Sequence, residues 1–420
     1  MKVLILAAAT FCISITALHV ASIVIAVYRF RKVARDEPPP NRHLPPVTLV
    51  RPLCGIDNYA VETLRSTFNL DYPRYEILFC VASAKDPVVP VVEALMAEHP
   101  GCGARLLIGD DRISSNPKLN NVVKGWRAAS HDWIVLADSN VLMPSDYIRR
   151  LIATWRDDAG LVASPPIGCR PRGIWAELEI AFLNTYEARW QYVADTLGFG
   201  FAQGKTMLWH RPVLERAGGI ETLAKEVAED AASTKVVRGA GLKVRLVDDP
   251  FAQPLGHRTA AEVWNRQLRW ARLRRSSFLP FFLPEALSGI VLPMLALAIA
   301  AHGAGLSPLL SVTMLAVLWY GAEMVLGAVA GWHISVRYPL YCFARDLVLP
   351  VLFVTALRGH EFVWRGNEMQ VERLRTRGMM ALVRPRLTEL APGARRRLRS
   401  LRARMSSSVI SLGGDGDDLL

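Results

Sequence analysis

Long apolar runs lie on both sides of a more polar central region. Residues 3–28 contain no charged side chain, and this run is longer than the roughly 20 apolar residues that span a bilayer. A cleaved signal peptide is the alternative interpretation, but its apolar core is only about 7–15 residues long. We therefore predict an N-terminal membrane anchor over residues 1–30.

A second apolar region follows the polar part of the chain. No charged residue occurs from Ala286 to Ala322, and glycines and a proline interrupt this run between residues 303 and 308. The pattern predicts two membrane spans joined by a tight turn. A further apolar stretch runs from Tyr338 to Leu357. Membrane segments are accordingly predicted over residues 277–357.

The last apolar stretch contains two charged residues, Arg345 and Asp346. Charges at membrane depth usually face protein or water and find partners, so these two either form a structural pair or belong to a lipid site. Four spans counted from an external amino terminus place the C-terminal tail outside, whereas its many arginines favour the inside. Either the last segment is interfacial or re-entrant, or the tail does not follow the charge rule.

The central region alternates short apolar runs with helical patterns. A proline-rich linker over residues 31–45 precedes it, and proline-rich chain is stiff and extended. The predicted elements, in chain order, are a strand at 47–52, a helix at 59–68, a strand at 75–83, a helix at 88–98, a strand at 104–108, a helix at 119–129 and a strand at 133–137. Such alternation predicts an α/β domain with a mostly parallel sheet, which we place at residues 46–276.

The distribution of charge indicates a membrane partner. Arg29, Arg31, Lys32 and Arg35 follow the first apolar run, which favours a cytoplasmic position for the central domain. The net charge is +12, and residues 358–405 carry thirteen Arg against four Glu, or +9 of it. We expect this tail, residues 358–420 and partly disordered, to meet anionic lipid headgroups rather than nucleic acid.

Several acidic and basic residues are candidates for chemistry. Asp86 and Asp138 follow predicted strands, and ligands of open parallel sheets bind beyond the carboxyl ends of the strands. Ordinary turn residues are the alternative, because Asp, Asn and Ser favour turns. Asp230 and the Arg266-Gln-Leu-Arg269-Trp270 run follow later. Sugar transfer from a nucleoside diphosphate needs cationic groups at the diphosphate and a carboxylate that takes the acceptor proton.

Some familiar motifs are excluded. Gly204-Lys-Thr resembles a phosphate-binding loop, but the glycine required five residues earlier is Phe199. The zinc-protease and serine-hydrolase motifs do not occur in the sequence. Hydrolysis by those routes is therefore not expected.

Over residues 46–370 the chain resembles the ceramide glucosyltransferases, glycosyltransferase family 21. The matching motifs are Arg51-Pro-Leu-Cys-Gly-Ile-Asp57, Asn69 to Glu76, Asp86-Pro87, Asn116-Pro-Lys-Leu-Asn-Asn121, Asp138-Ser139, Ala228-Glu-Asp230, Arg266-x-x-Arg269-Trp270 and Trp364-Arg-Gly. The family pattern of three aspartates followed by (Gln or Arg)-x-x-Arg-Trp is filled by Asp86, Asp138, Asp230 and the Arg266–Trp270 run.

The resemblance implies a GT-A nucleotide-sugar transferase domain that transfers glucose from UDP-glucose, with inversion, to the primary hydroxyl of ceramide. It implies that Asp86 contacts the uracil or ribose, that Asp138 helps to hold Mg²⁺ or Mn²⁺ on the diphosphate, and that Asp230 is the general base. Arg266, Arg269 and Trp270 would close over the diphosphate and sugar. Lys118 would add a cation near the diphosphate, a surface lysine being the alternative.

Other functions remain open. Related hopanoid-pathway enzymes, which place N-acetylglucosamine from UDP-GlcNAc on a bacteriohopanepolyol, resemble the chain equally well. Processive polysaccharide synthases share the Arg-x-x-Arg-Trp element, but they need more spans than are predicted here. A non-enzymatic lipid-binding protein would leave the ordered acidic residues unexplained. The expected partners are a UDP-sugar, a membrane lipid acceptor and the bilayer, and the expected location is the cell inner membrane, with several spans and a cytoplasmic catalytic domain.

Overall fold

The computed structural model describes residues 2–33, 44–364 and 367–370. The anchor region is a single helix, α1 (Lys2–Val33). The elements of the central region are β1 (Val47–Leu53), α2 (Ala60–Arg65), β2 (Tyr75–Val81), α3 (Val89–Glu98), β3 (Ala104–Ile108), α4 (Pro117–Ala128), β4 (Trp133–Ala137), α5 (Tyr147–Thr154), β5 (Ala159–Ala163), β6 (Ile167–Arg172), α6 (Ile174–Phe182), a π-helical segment (Leu183–Ala188), α7 (Arg189–Thr196), β7 (Thr206–His210), α8 (Arg211–Arg216), α9 (Glu229–Gly239), β8 (Lys243–Leu246), β9 (Ala252–His257) and α10 (Ala260–Ser277).

The remaining described elements belong to the C-terminal part. They are α11 (Leu279–Phe282), α12 (Val291–Gly303), α13 (Pro308–Val329), α14 (Tyr338–Arg358), β10 (Glu361–Trp364) and β11 (Asn367–Gln370). Short 3₁₀-helical segments lie at Ser66–Phe68, Ile220–Lys225 and Leu283–Leu287. Most of the predicted basic tail, and residues 34–43 of the predicted linker, lie outside the described residues. The boundaries of the five predicted segments therefore stay predictions.

A seven-stranded sheet in the order β3-β2-β1-β4-β7-β5-β8 forms the centre of the domain. Strands β1 to β4 run parallel, β7 is antiparallel to both of its neighbours, and β5 pairs in parallel with β8. Every residue of β1 is buried, as expected for a central strand covered on both faces. The predicted α/β domain with a mostly parallel sheet is confirmed, because each apolar run became a strand that helices cover.

Local sequence signals fix where two important helices begin. The Asn116 side chain caps α4 by accepting hydrogen bonds from the backbone N–H groups of Lys118 (2.9 Å) and Leu119 (3.2 Å), and Pro117 occupies the first turn. At α10, Thr259 and Glu262 form a reciprocal capping box. These caps set the positions of Lys118 and of the arginines on α10.

The helices of the membrane part pack against one another. Helix α12 begins next to α14, where the Ile290 N–H donates to Asp346 (3.0 Å). It ends beside the amino-terminal end of α1, where Gly303 packs so closely on Ile5 that a Cβ would not fit. Helix α13 then runs back along α1, with its Trp319 ring stacked on His19 at a centroid distance of 3.6 Å. The predicted turn between two helices is confirmed at residues 304–307.

Three described helices are long and apolar enough to cross a membrane: α1, α13 and α14. The pair formed by residues 279–287 and α12 passes the same test together, with a 41° bend at the break, and raises the number to four. The chain is thus a membrane-associated protein. Helix α12 alone has only 13 residues, so the bent pair forms a broken span or a re-entrant loop.

Helix α14 contacts the central domain along its whole length. Near its start, the Tyr338 hydroxyl lies 3.2 Å from the Thr185 hydroxyl, and near its end the Ala356 carbonyl accepts a hydrogen bond from Arg275 (2.6 Å). Its opposite side is exposed and apolar at Leu340, Phe343, Leu347, Val351 and Val354, which we call the α14 stripe. Spacings of three and four residues place the stripe on one helix face.

Arg345 and Asp346 form a structural ion-pair network, one of the two alternatives for these charges. The Arg345 guanidinium donates to both oxygens of Glu323 (2.9 and 3.0 Å) and to Asp346 (2.8 Å). It also donates to the carbonyl of Ala181 at 3.0 Å. All three charged side chains are buried, so α13, α14 and α6 are held together through compensated charges.

Candidate functional site

A cluster of two carboxylates and two lysines lies where β4 and β7 meet. Asp138 directly follows β4, and Lys205 directly precedes β7. Since these strands are antiparallel, the end of one adjoins the start of the other, and the Asp138 N–H donates to the Lys205 carbonyl (3.0 Å). One Asp138 oxygen lies 2.9 Å from Lys205 Nζ, and the other lies 2.7 Å from Lys118 Nζ.

Lys118 connects this cluster to α9. Its Nζ lies 2.7 Å from Glu229 Oε1, and it also donates to the Gly204 carbonyl. Asn116, the α4 cap, donates to the other Glu229 oxygen (2.7 Å). Helix α4 therefore presents a fixed ammonium group between two carboxylates. Lys118 is mostly buried, so the alternative of an ordinary surface lysine is wrong.

The charges of the cluster shift one another's protonation. Burial alone would raise the pKa of Asp138, but the attraction of Lys118 and Lys205 overrides it and lowers that pKa. Burial likewise opposes the charge of Lys118, yet Asp138 and Glu229 raise its pKa. Burial lowers the pKa of Lys205, although Asp138 partly compensates. The Asp138 carboxylate and Lys118 ammonium are thus held in their ionised forms.

Asp230 lies in the first turn of α9, next to the cluster. Its Oδ2 accepts a hydrogen bond from the Gly204 N–H (3.1 Å) and its Oδ1 accepts one from the Ala231 N–H (2.8 Å). Burial, together with the negative charge of Glu229, raises the pKa of Asp230 to about 6, against the opposing effect of Lys118. A carboxylate with this pKa is mostly ionised at neutral pH and accepts protons more readily than an ordinary aspartate.

Asp86 lies beyond the end of β2 and organises the loops there. Both of its oxygens lie 3.0 Å from the Gly55 N–H, and one also accepts from the Val88 N–H (2.9 Å). Asp86 lines the same cavity as the cluster. A contact with a nucleoside stays a prediction.

The predicted arginines and tryptophan lie on α10. Arg266 forms an ion pair with Glu179, a buried residue that also accepts from Arg258 (3.1 Å). Arg269 lines the cavity, and so does Trp270, which packs partly buried against the apolar cluster of α6, α13 and α14. Helix α10 therefore covers the cavity with cationic side chains.

One cavity of about 1090 Å³ joins all the predicted site residues. Asp86, Lys118, Asp138, Asp230, Arg266, Arg269 and Trp270 all line it. Its lining continues to Ile15, Leu18 and Trp319 on the membrane helices α1 and α13. The roles predicted for these residues stay predictions, but the structure brings every one of them to the same cavity.

Sequence reasoning assigned no individual role to several residues of this cavity. Lys205 was considered only within the dismissed Gly204-Lys-Thr motif, and its pairing with Asp138 depends on the antiparallel strand β7. Glu187 and Gln191 also line the cavity and are buried. Within the part of the chain that the structure describes, both carboxyl oxygens of Glu187 and the amide oxygen of Gln191 lack a hydrogen-bond partner. Burial raises the pKa of Glu187 to about 8 against the nearby positive charge of Arg274.

A divalent cation in this cavity needs hard oxygen ligands such as carboxylates. Among residues 2–33, 44–364 and 367–370, no three His, Cys, Asp or Glu side chains gather as a metal site. Mg²⁺ in nucleotide enzymes needs only one or two carboxylates, because phosphate oxygens and water complete its shell. Asp138 supplies one such hard oxygen donor at the cluster, so the residues fit a cation that binds together with a diphosphate.

Comparison with known proteins places this chain among glycosyltransferases. The model of glycosyl transferase family 21 matches residues 14–376. Ceramide glucosyltransferase 3 of Caenorhabditis elegans is 26% identical over 365 residues, covering 85% of this chain and 78% of that protein. Ceramide glucosyltransferase 1 of the same organism is 27% identical over 394 residues, covering 91% and 84%. The ceramide glucosyltransferase of Komagataella phaffii is 36% identical over 143 residues, covering 32% and 28%.

Solved structures are similar at lower levels. A mannosyltransferase of Pyrobaculum calidifontis in complex with GDP-Man and Mn²⁺ aligns with a TM-score of 0.45 and 18% identity, over 83% of this chain and 96% of that one. Glucosyl-3-phosphoglycerate synthase of Mycobacterium tuberculosis with Mn²⁺ and UDP aligns with a TM-score of 0.34 and 16% identity, over 53% and 77%.

The family match extends from within α1 to the end of the described residues, and so includes both the domain and the membrane helices. It confirms the predicted GT-A fold class and a nucleotide-sugar-dependent enzyme. The protein belongs to glycosyl transferase family 21.

Proposed function

We propose that this enzyme transfers glucose from UDP-glucose to the primary hydroxyl of ceramide, with inversion at the sugar carbon. The observation that carries the proposal is the cavity that joins the Asp138–Lys118–Asp230 region to Ile15 and Trp319 of the membrane helices. A soluble nucleotide sugar and a membrane lipid can meet in such a space. Similarity over most of the length of two proteins named ceramide glucosyltransferase supports the choice of donor and acceptor.

Asp230 would act as the general base. It would take the proton of the acceptor hydroxyl as that oxygen attacks the sugar C1 from the face opposite the diphosphate, and the bond between C1 and the diphosphate oxygen would break. Its raised pKa of about 6 suits this role near neutral pH. The two backbone N–H groups that contact it hold the carboxylate in place.

The basic side chains would neutralise the leaving diphosphate. Lys118 and Lys205 are fixed at the cluster, and Arg266 and Arg269 of α10 line the same cavity, with Arg266 paired to Glu179 in this structure. Arginine suits phosphate because its planar fork donates two parallel hydrogen bonds. A fixed array of this kind stabilises charge that develops in the transition state.

Asp138 would hold Mg²⁺ or Mn²⁺ through the oxygens that Lys118 and Lys205 contact in this structure. When bound, the cation would neutralise part of the diphosphate charge. Asp86 would lie near the nucleoside through the loops that it organises. Trp270 would border the sugar from α10.

The proposal is tested by label transfer with purified protein in detergent. UDP-[¹⁴C]glucose and UDP-[¹⁴C]N-acetylglucosamine are each offered with ceramide or with bacteriohopanetetrol, beside an Asp230→Asn control. We expect label from glucose on ceramide only with Asp230 intact. N-acetylglucosamine on the hopanoid would assign the chain to the alternative acceptor class, and label in neither lipid would refute the acceptor assignment.

We further propose a location in the cell inner membrane with the domain facing the cytoplasm. Helices α1, the bent pair ending in α12, and α13 would cross the bilayer, while α14 would lie along its surface with the α14 stripe toward lipid. Three crossings from an external amino terminus put the domain and the arginine-rich tail on the same, cytoplasmic side, in accord with the charge rule.

This topology predicts opposite accessibility for tags at the two ends of the chain. In intact spheroplasts, an externally added protease should remove an amino-terminal tag and leave a carboxyl-terminal tag intact. Removal of both tags, with a cytoplasmic marker protected, would show that α14 crosses the membrane.

A further inference from the structure

Two residues of the cavity wall carry three buried oxygen atoms that have no hydrogen-bond partner among the described residues. They belong to Glu187, at the end of the π-helical segment, and to Gln191, four residues later on α7. Glu187 is 9% exposed and Gln191 is 2% exposed. Buried polar atoms nearly always have a hydrogen-bond partner, so unpartnered ones in a cavity wall need an explanation.

The described surroundings of these oxygens supply no partner. The positive charge of Arg274 acts on Glu187, but its guanidinium is already engaged with both oxygens of Glu285 at 2.7 and 2.9 Å. Glu285 and Glu179 bring further negative charge, and Arg266 is held by Glu179. π-Helical turns occur frequently at functional sites, and Glu187 lies in such a turn and lines the cavity.

The position of these atoms points to the acceptor rather than to the nucleotide. Both residues follow α6 and border the part of the cavity that includes Tyr186, Trp190 and the Ser288–Gly289 turn before α12. Two of these neighbours, Tyr186 and Trp190, belong to an apolar cluster with Leu349 of α14. The amide oxygen of Gln191 and the carbonyl oxygen of a protonated Glu187 accept hydrogen bonds. A diphosphate has no donors for them, whereas O–H and N–H donors of a lipid head would satisfy them.

We infer that Glu187 and Gln191 bind the polar head of the acceptor lipid, and that this enzyme selects acceptors with O–H or N–H donors in addition to the hydroxyl that reacts. The inference rests on the proposed function, since it presumes a lipid acceptor in this cavity. It adds two positioning residues and a requirement on the acceptor. Sites built to hydrogen-bond a substrate group discriminate strongly against analogues without it.

The experiment compares matched acceptors in wild-type enzyme and in Glu187→Leu and Glu187→Gln variants. The acceptors form two matched pairs. One pair is ceramide and its N-methyl, 3-O-methyl analogue, and the other is bacteriohopanetetrol and a hopanoid with a single primary hydroxyl. Within the pair that the enzyme accepts, we expect wild type to prefer the lipid with more O–H and N–H groups by at least about tenfold in kcat/KM. One good hydrogen bond corresponds to about that factor. Glu187→Leu should lose most of this preference, and Glu187→Gln, which keeps both a donor and an acceptor, should retain it.

A matched control separates recognition from folding. Gln253 on β9 is also buried, and its amide has no partner among the described residues, but it does not line the cavity. Gln253→Leu should keep the wild-type acceptor preference, and UDP binding measured by calorimetry should be the same in all variants. An unchanged preference in a UDP-binding Glu187→Leu variant, or no preference in wild type, would overturn the inference alone. Wild type that binds UDP but labels no lipid would refute the proposed function itself.

Discussion

The raised pKa of Asp230 makes a quantitative prediction about the pH dependence of transfer. Asp230 gains its pKa of about 6 from burial and from Glu229, while Lys118 and two backbone N–H groups limit the rise. Because the base must be ionised to accept a proton, activity should follow its deprotonated fraction. That fraction is about one-tenth at pH 5 and about nine-tenths at pH 7.

We therefore expect kcat/KM for the lipid acceptor to rise roughly tenfold between pH 5 and pH 7 and then to level off. Asp230→Asn should lower it by about 10²–10⁴-fold at pH 7, the usual contribution of a general base. The residual activity of that variant should be flat over the same range, because the group that titrates is gone.

The assay is the initial rate of label transfer at low acceptor concentration, constant ionic strength and saturating UDP-sugar. Asp132→Asn is the matched control, since Asp132 is exposed and lies outside the cavity. It should keep both the rate and the pH profile of wild type. A wild-type profile without an acid limb, or an acid limb that persists in Asp230→Asn, would refute the assignment of Asp230 as the base.

Three further predictions concern the metal, the buried carboxyl and the ion-pair network. Mn²⁺ should bind weakly to the protein alone and more tightly with UDP, because Lys118 and Lys205 contact both oxygens of Asp138. In electron paramagnetic resonance titrations, Asp138→Asn should lose the UDP-dependent part of the Mn²⁺ binding, and equal binding by that variant would exclude Asp138 as the ligand. The folded-state pKa of Glu187, about 8, exceeds its ordinary value of 4.5, so the contribution of its protonated form to stability is complete below pH 4.5 and is lost as pH rises through 8. The Tm of wild type should therefore fall relative to that of Glu187→Gln over this pH range, and parallel Tm curves would contradict the burial argument. Arg345→Met should destabilise the fold by about 3–5 kcal/mol, since it leaves buried carboxylates uncompensated, and a Tm equal to that of wild type would show that the network contributes little.

The strands of the domain were predictable because their apolar runs are short and sharply bounded. Residues 104–108 and 133–137 were expected to be strands, and β3 and β4 have these bounds. Asp86 and Asp138 could be placed because each follows such a strand, whereas Asp230 lies in the first turn of α9 and follows no predicted strand. Lys205 could not, because its contact with Asp138 arises only when β7 inserts antiparallel beside β4. Nothing local in the sequence specifies that pairing.

The membrane part was less predictable for a different physical reason. Hydropathy does not distinguish a residue that faces lipid from one that faces a protein core, since both are apolar. Helix α14 has one side packed on the domain and the other exposed as the α14 stripe, yet it has the composition of a span. Arg345 and Asp346 were recognisable as unusual, but their partner Glu323 lies on another helix, α13.

The continuity of the cavity from Asp138 to the membrane helices has a kinetic consequence. An enzyme that draws its acceptor directly from the bilayer responds to the mole fraction of that lipid in the surface, rather than to its amount per volume of solution. Diluting the acceptor with inert lipid at a fixed total amount would slow transfer, whereas diluting the whole vesicle suspension would leave turnover by each membrane-bound enzyme unchanged. Cells could then control product formation through the composition of the membrane as well as through the supply of the soluble donor.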